Sequence, residues 1–331
     1  MIMKSNILKF ICGISIVCAF WSCKNGDIDF PDYEGGTTVY FPYQYPVRTI
    51  VLGDNEEYDQ TLDNAHQCKI MATFGGSYNG SNGTVQVAVD ESLCNNLFFE
   101  DGVTPVKPMP SSYYQLSTTN LAFNGTMNGE TVVSLTEAFF NDPAAVNTTY
   151  VIPLVMTAQS GFGKILTGTM LEGFSGTRTD ADVWDVKPQD FILYCVKFMN
   201  KYSGWWLTNG TTSTADIEKA PTVEIKSVGL NTCSYKVSYQ DGDQLYNADL
   251  LLTFSGDNCT ISSRTDGVKA TGSGTWGDNS EKKAWGDKDR DGMELNYTVD
   301  FGNGHTWSTH EKMVYQRSGV TIQEFTPVYI K

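Results

Sequence analysis

Residues 292–301 read GMELNYTVDF, an alternation that sets Met293, Leu295, Tyr297, Val299 and Phe301 against Glu294, Asn296, Thr298 and Asp300. Successive side chains of an extended chain point to opposite faces, so this segment separates core from water only as a strand with one buried face. Cys233, Tyr235, Val237 and Tyr239 repeat the pattern against Ser234, Lys236 and Ser238. Turn formers (DGD, SGDN, TDG and FGNGH) recur between runs of this kind. Short strands joined by tight turns describe an antiparallel meander, and closing it as a barrel removes its exposed edges.

The first half carries strand signals of another kind. TVYFPYQYPVRTIVLG is rich in aromatic and β-branched residues, and GTVQVAVD alternates after a glycine. TYVIPLVMTAQSG contains Pro153, which suits an edge strand or a bulge. No stretch holds a long apolar repeat at helical spacing, although SLTEAFFND predicts one helical turn before Pro143. The fold class is therefore all-β, a sandwich followed by a barrel. Between Leu171 and Asp190 Gly, Thr, Asp and Pro replace alternating hydrophobics, which places a linker at 176–190 between a sandwich at 37–175 and a barrel at 191–331.

Ahead of the sandwich lies an export signal, residues 1–22. Lys4 and Lys9 give a positive start, Phe10 to Trp21 an apolar run, and Ser22 a small residue before Cys23. That run falls short of the roughly 20 residues that span a bilayer, so the leader is expected to be cleaved. Cys23 is then the lipidation site, and 23–36 (with KNGDID, then FPDYEGG) a solvated tether; a plain secretory peptide is the alternative. Lys and Arg number 23 against 38 Asp and Glu, for a formal charge of −15. Such a field repels phosphate backbones and anionic headgroups and disfavours nucleic-acid partners. Of eight cysteines, Cys68, Cys94, Cys195, Cys233 and Cys259 remain after the leader and anchor are set aside. Cys68 with Cys94 is the simplest disulfide within one domain, and buried free thiols are the other reading. No C-x-x-C or clustered Cys/His spacing points to zinc.

TVYFPYQYPVRTIVLG, SSYYQLSTTNLAFNG and TYVIPLVMTAQSG together resemble the Ig-like sandwich domain at the start of Bacteroides endo-β-N-acetylglucosaminidases and of many surface lipoproteins of those bacteria. WDVKPQDFILYCVKFMNKYSGWWLTNG and EKKAWGDKDRDGMELNYTV resemble the lipocalin-like, or calycin-like, domain that follows it in non-enzymatic members. The resemblance implies an outer-membrane, lipid-anchored protein in a glycan-utilisation setting, with glycan or glycan-uptake outer-membrane proteins as partners. The acidic run that often follows the lipidated cysteine in similar lipoproteins is diluted here to KNGDID.

Site candidates come from the residues alone. Aromatic faces stack on the C–H side of a pyranose, and Trp205, Trp206, Trp276 and Trp285 are the candidates for such a platform, with core packing as the competing role. Trp205 and Trp206 must face opposite ways on a strand, and Gly272 and Gly274 share the parity of Trp276, where glycine marks close approach of a ligand or of another backbone. Trp307 shares parity with Met313 and Tyr315, so it belongs to the interior. Asp287, Asp289 and Asp291 before Gly292 open like a calcium loop, but position twelve is Thr298 and a strand follows; a solvated turn is favoured over a Ca²⁺ site. No spacing isolates a pair of glycosidase carboxylates, and GFSG at 173–176 lacks the form of a nucleophile elbow. The expected function is non-catalytic: glycan binding or assistance to a glycan-uptake complex. The alternatives are a scaffold or adhesion subunit without a sugar site and, third, a cryptic glycosidase.

Overall fold

A computed structural model describes residues 31–54, 57–213, 216–217 and 221–331. The leader and Cys23 lie outside the described residues. The chain is nearly all β, an N-terminal sandwich and a closed antiparallel barrel of eight strands. The predicted helical turn forms at Glu137–Phe140.

In the sandwich, β1 (Thr38–Tyr40), β2 (Pro46–Val51), β3 (Gln67–Gly75), β4 (Thr84–Val89), β5 (Tyr114–Leu116), β6 (Asn120–Ala122), β7 (Asn128–Leu135), β8 (Tyr150–Ser160) and β9 (Phe191–Met199) make two sheets. One has the order β1-β3-β7-β5, extended beyond β1 by Lys164–Ile165; the other runs β2-β9-β8-β4-β6, extended beyond β2 by Gln323–Glu324. Alternation along β3 sends Cys68, Ile70, Ala72 and Phe74 inward, onto Val85, Val87, Ile152, Leu154 and Met156 of the facing sheet. Pro153 stands in the middle of this second sheet and not at its edge. One neighbour of β8, Lys107–Pro108, pairs only as far as Val151, and the next, β4, takes over from Leu154. Pro153 occupies the change-over, where a missing N–H breaks no ladder.

The domain boundary also differs from the sequence reading. β9 pairs antiparallel with β8 and parallel with β2, so residues 191–199 are sandwich and not barrel. Residues 176–190 are fastened to the same domain: the fully buried Asp190 accepts a two-pronged bond from Arg178, and its carbonyl takes the Met156 N–H at 2.7 Å. The crossing into the barrel falls at Asn200–Ser203. After the barrel the chain returns, and Phe325 packs edge-on against Tyr45 and Phe99 while Val328–Tyr329 pairs with Leu97–Phe98. This return covers the outer face of β9.

The barrel comprises β10 (Gly204–Thr212), β11 (Thr222–Gly229), β12 (Thr232–Asp241), β13 (Gln244–Ser255), β14 (Asn258–Ser263), β15 (Lys269–Glu281), β16 (Arg290–Asp300) and β17 (Thr306–Arg317). Each pairs with the next, and β17 closes on β10. The alternation of residues 292–301 is realised as read: Met293, Leu295, Tyr297 and Val299 are buried within the barrel. Cys68, Cys94, Cys195, Cys233 and Cys259 are buried thiols without disulfides, and burial pushes Cys68 and Cys195 up to about 12. Such thiols do not ionise near neutral pH. No helix among the described residues is long and apolar enough to cross a membrane.

Candidate functional site

The four candidate tryptophans do not converge. Trp206 is fully buried inside the barrel, edge-on to Tyr315. Trp276 is buried too, edge-on to Tyr202 and covered by the Lys201 ammonium 4.0 Å from its ring centre. Both are core, which removes them from any platform. Gly272 and Gly274, which share the parity of Trp276, serve the neighbouring strand and no ligand: a Cβ at Gly272 would come within 2.5 Å of the Tyr297 Cβ, and one at Gly274 equally close to Leu295. Trp205 points outward as strand parity requires but is half-buried, with Arg317 5.2 Å over its ring and its indole N–H edge against Gly319. Trp307 fills the interior, stacked on Tyr239.

Trp285 is different. It is 45% exposed and sits at the tip of the β15–β16 hairpin, which bends back over the outer wall of the barrel. The left-handed Gly286 (φ 69°) reverses the chain there, the Ala284 N–H bonds to the Lys288 carbonyl, and Arg290 Nε donates to the Trp285 carbonyl at 3.1 Å. The indole is thus held on a fastened turn.

Beneath it lies a cleft of about 340 Å³. Leu207 and Asn209 reach it from β10, Lys312 and Val314 from β17, and Glu281 and Ala284 from the hairpin. Lys312 Nζ and Glu281 form an ion pair at 2.9 Å, so the cleft is close to neutral while keeping charged hydrogen-bonding groups at its side. An exposed aromatic face, an aliphatic floor and a few polar groups are what an amphipathic sugar ring needs. Sequence reading found Trp285 but missed its neighbours. The available signal was Leu207 and Val314, apolar residues on the outward parity of their strands, where water-facing side chains are polar.

The three aspartates do not form a metal centre. Asp289 is held by Lys282 Nζ at 2.9 Å and the Lys283 N–H at 3.1 Å, and Asp291 accepts the Asn279 N–H across the hairpin. Burial, with Asp278 beside it, pushes Asp291 up to about 6. Asp287 lies in the left-handed region at the tip. Among the described residues no group of three or more His, Cys, Asp or Glu side chains could hold a metal ion. The turn is therefore a hairpin tip in which Asp289 and Asp291 are held by separate partners.

The most prominent buried acid is Glu311 on β17, 4% exposed inside the barrel. Tyr235 donates to both its oxygens, at 3.2 and 3.0 Å. Burial pushes it up to about 7 against the opposing pull of the Tyr235 and Tyr297 hydroxyls. It is one of the barrel's interior side chains.

Comparison with known proteins returns domains without assigned roles. Residues 33–163 match a model for an N-terminal domain, and residues 201–319 match DUF5627, a domain of unknown function. No curated protein matches the chain. A structure from Bacteroides ovatus, described as structural genomics of unknown function, is 33% identical with a TM-score of 0.82, covering 91% of this chain and 100% of its own. A multidomain protein including DUF1735 from Bacteroides ovatus is 12% identical with a TM-score of 0.41, covering 84% of this chain and 93% of its own.

Proposed function

The chain belongs to the same family as the Bacteroides ovatus protein of unknown function, its own barrel matching DUF5627, and we propose that it is a lipid-anchored, non-catalytic glycan-binding protein of the outer membrane. The leader and Cys23 support the anchor, and the strand and turn patterns of the second half support kinship of its barrel with lipocalin-like domains. The observation that carries glycan binding is Trp285, an exposed indole held over an aliphatic-floored cleft with Asn209, Glu281 and Lys312 at its side. A single sugar residue stacks on the indole while its hydroxyls reach those polar groups.

Burial of Glu311 and the separate partners of Asp289 and Asp291 favour binding over hydrolysis, since a glycosidase needs two carboxylates facing one bond. Partners are then a glycan and the outer-membrane proteins of a glycan-uptake complex.

A glycan array followed by calorimetry tests this reading. Trp285→Ala should weaken the best glycan roughly fivefold or more, a stacking contribution of about 1 kcal/mol, and leave the melting temperature unchanged because the ring is exposed. No retained glycan, or equal affinity in the variant, returns the protein to the scaffold reading. Release of reducing sugar by the purified protein would reinstate the glycosidase.

A further inference from the structure

A second cleft lies where the two domains meet. Its volume is about 390 Å³, and its walls come from both domains and from the returning segment after the barrel. Domain junctions are a preferred place for ligand sites because two rigid surfaces bring groups together without strain in either. The floor is fixed by a satisfied network. Ser203 Oγ, buried, bonds Ser227 Oγ at 2.6 Å and Asn200 Oδ1 at 2.8 Å, while the Asn200 amide donates to the carbonyls of Gly229 and Thr232 at 2.8 and 3.1 Å.

Cations and acids are mixed in this cleft. Lys197 from β9 and Lys226 from β11 both line it, Glu224 is the one acid among the lining residues, and the Glu57 carboxylate lies behind the wall, taking the N–H and the hydroxyl of Ser318. Glu224 pairs with Lys226 at 3.1 Å. Lys197 reaches Gln323 Oε1 at the long distance of 3.4 Å, which leaves an ammonium with donors to spare. The amide of Gln323 and the hydroxyl of Thr321 supply neutral hydrogen-bonding groups beside the two cations.

We propose that this cleft is a second binding site, separate from Trp285, for a carboxylated sugar of the uronic acid class. The carboxylate bridges Lys197 and Lys226, the ring hydroxyls meet Gln323 and Thr321, and the ligand touches both domains at once. Its specificity is opposite to that of the Trp285 cleft, where the Glu281–Lys312 pair leaves no net charge and neutral sugars are favoured.

Calorimetry on the full mature chain with oligogalacturonate and with neutral cello-oligosaccharide is the test. Oligogalacturonate should bind and raise the melting temperature. Lys197→Gln should lower its affinity roughly tenfold, Lys226→Gln at least as much because Glu224 is then unpaired, and Glu224→Gln should raise it. Trp285→Ala should leave it unchanged, which separates this site from the first. Melting curves of the variants without ligand check that the fold is kept, both lysines being at the surface of the cleft. Absence of oligogalacturonate binding at millimolar concentration overturns the proposal, as does affinity that ignores both lysine substitutions or disappears with Trp285→Ala. Equal competition by inorganic phosphate would show an anion site without sugar specificity and would also overturn it.

Discussion

Glu311 shows what one residue costs in a packed barrel. Its carboxyl titrates at about 7 in the folded protein against 4.5 for the unperturbed group, and burial is the leading cause. Folding therefore favours the protonated acid. The stability contribution is complete below the unfolded value of 4.5 and is lost as pH rises through about 7, by roughly 3 kcal/mol at most. Thermal melts from pH 5 to 8 should show stability falling towards pH 8, and Glu311→Gln, neutral throughout, should flatten that slope. Parallel slopes for the two proteins would assign the pH dependence elsewhere. Strand parity read correctly that Trp205 and Trp206 face opposite ways and that Trp307 faces inward, because the period of two leaves no third direction, but it did not say that Trp206 is the inward one of the pair. It could not separate Trp276 from a ligand face, since glycine at 272 and 274 means close approach without saying of what. Here the approaching groups are Tyr297 and Leu295, residues of β16 that only the pairing register brings alongside. Nor could spacing reveal that Lys282 claims Asp289, because the hairpin geometry decides that contact.

At the scale of elements, the least legible was β9. FILYCVKF is almost continuously apolar, which is the signature of a strand buried on both faces, and that signal argued against a barrel strand with a wet outer side. The reason for double burial lay more than a hundred residues later, in the returning segment. Phe325 joins Phe99, Phe191, Leu193 and Cys195 in a small core on the outer face of the second sheet. Phe325→Ala should therefore destabilise the sandwich by about 3 kcal/mol, as large-to-small changes in aromatic cores do. Denaturant unfolding followed through sandwich fluorescence or hydrogen exchange at residues 191–195 would show it. A loss confined to the barrel would contradict the assignment of this segment. Limited proteolysis should likewise spare 176–190, held by the Arg178–Asp190 contact and strand pairing, in place of the cleavage that its composition suggested.

Across the whole molecule, the first described residues and the barrel sit at opposite ends. β3 begins just after the Asp63 turn, whose carboxylate binds the Val51 N–H near the junction, and it ends at Gly75. The eight steps of this nine-residue strand, at about 3.3 Å each, set its ends about 26 Å apart. Tyr33 bonds to Gly76 at the far end. A lipid on Cys23 would therefore make the sandwich a pedestal and turn the barrel outward. Cys23→Ala should move the protein from the membrane fraction to a soluble or unprocessed pool; unchanged partition would remove the anchor and this orientation with it.

The barrel leaves the sandwich after Ser203 and rejoins it at Ser318, and its first and last strands lie side by side, with Trp205 opposite Arg317. Its two ends thus meet the sandwich at one place, and Leu230 from the β11–β12 turn packs on the sandwich core beside them. The DUF5627 match, residues 201–319, coincides with the interval between the two crossings, so the unit that the family model recognises is inserted within the sandwich chain and not appended to it.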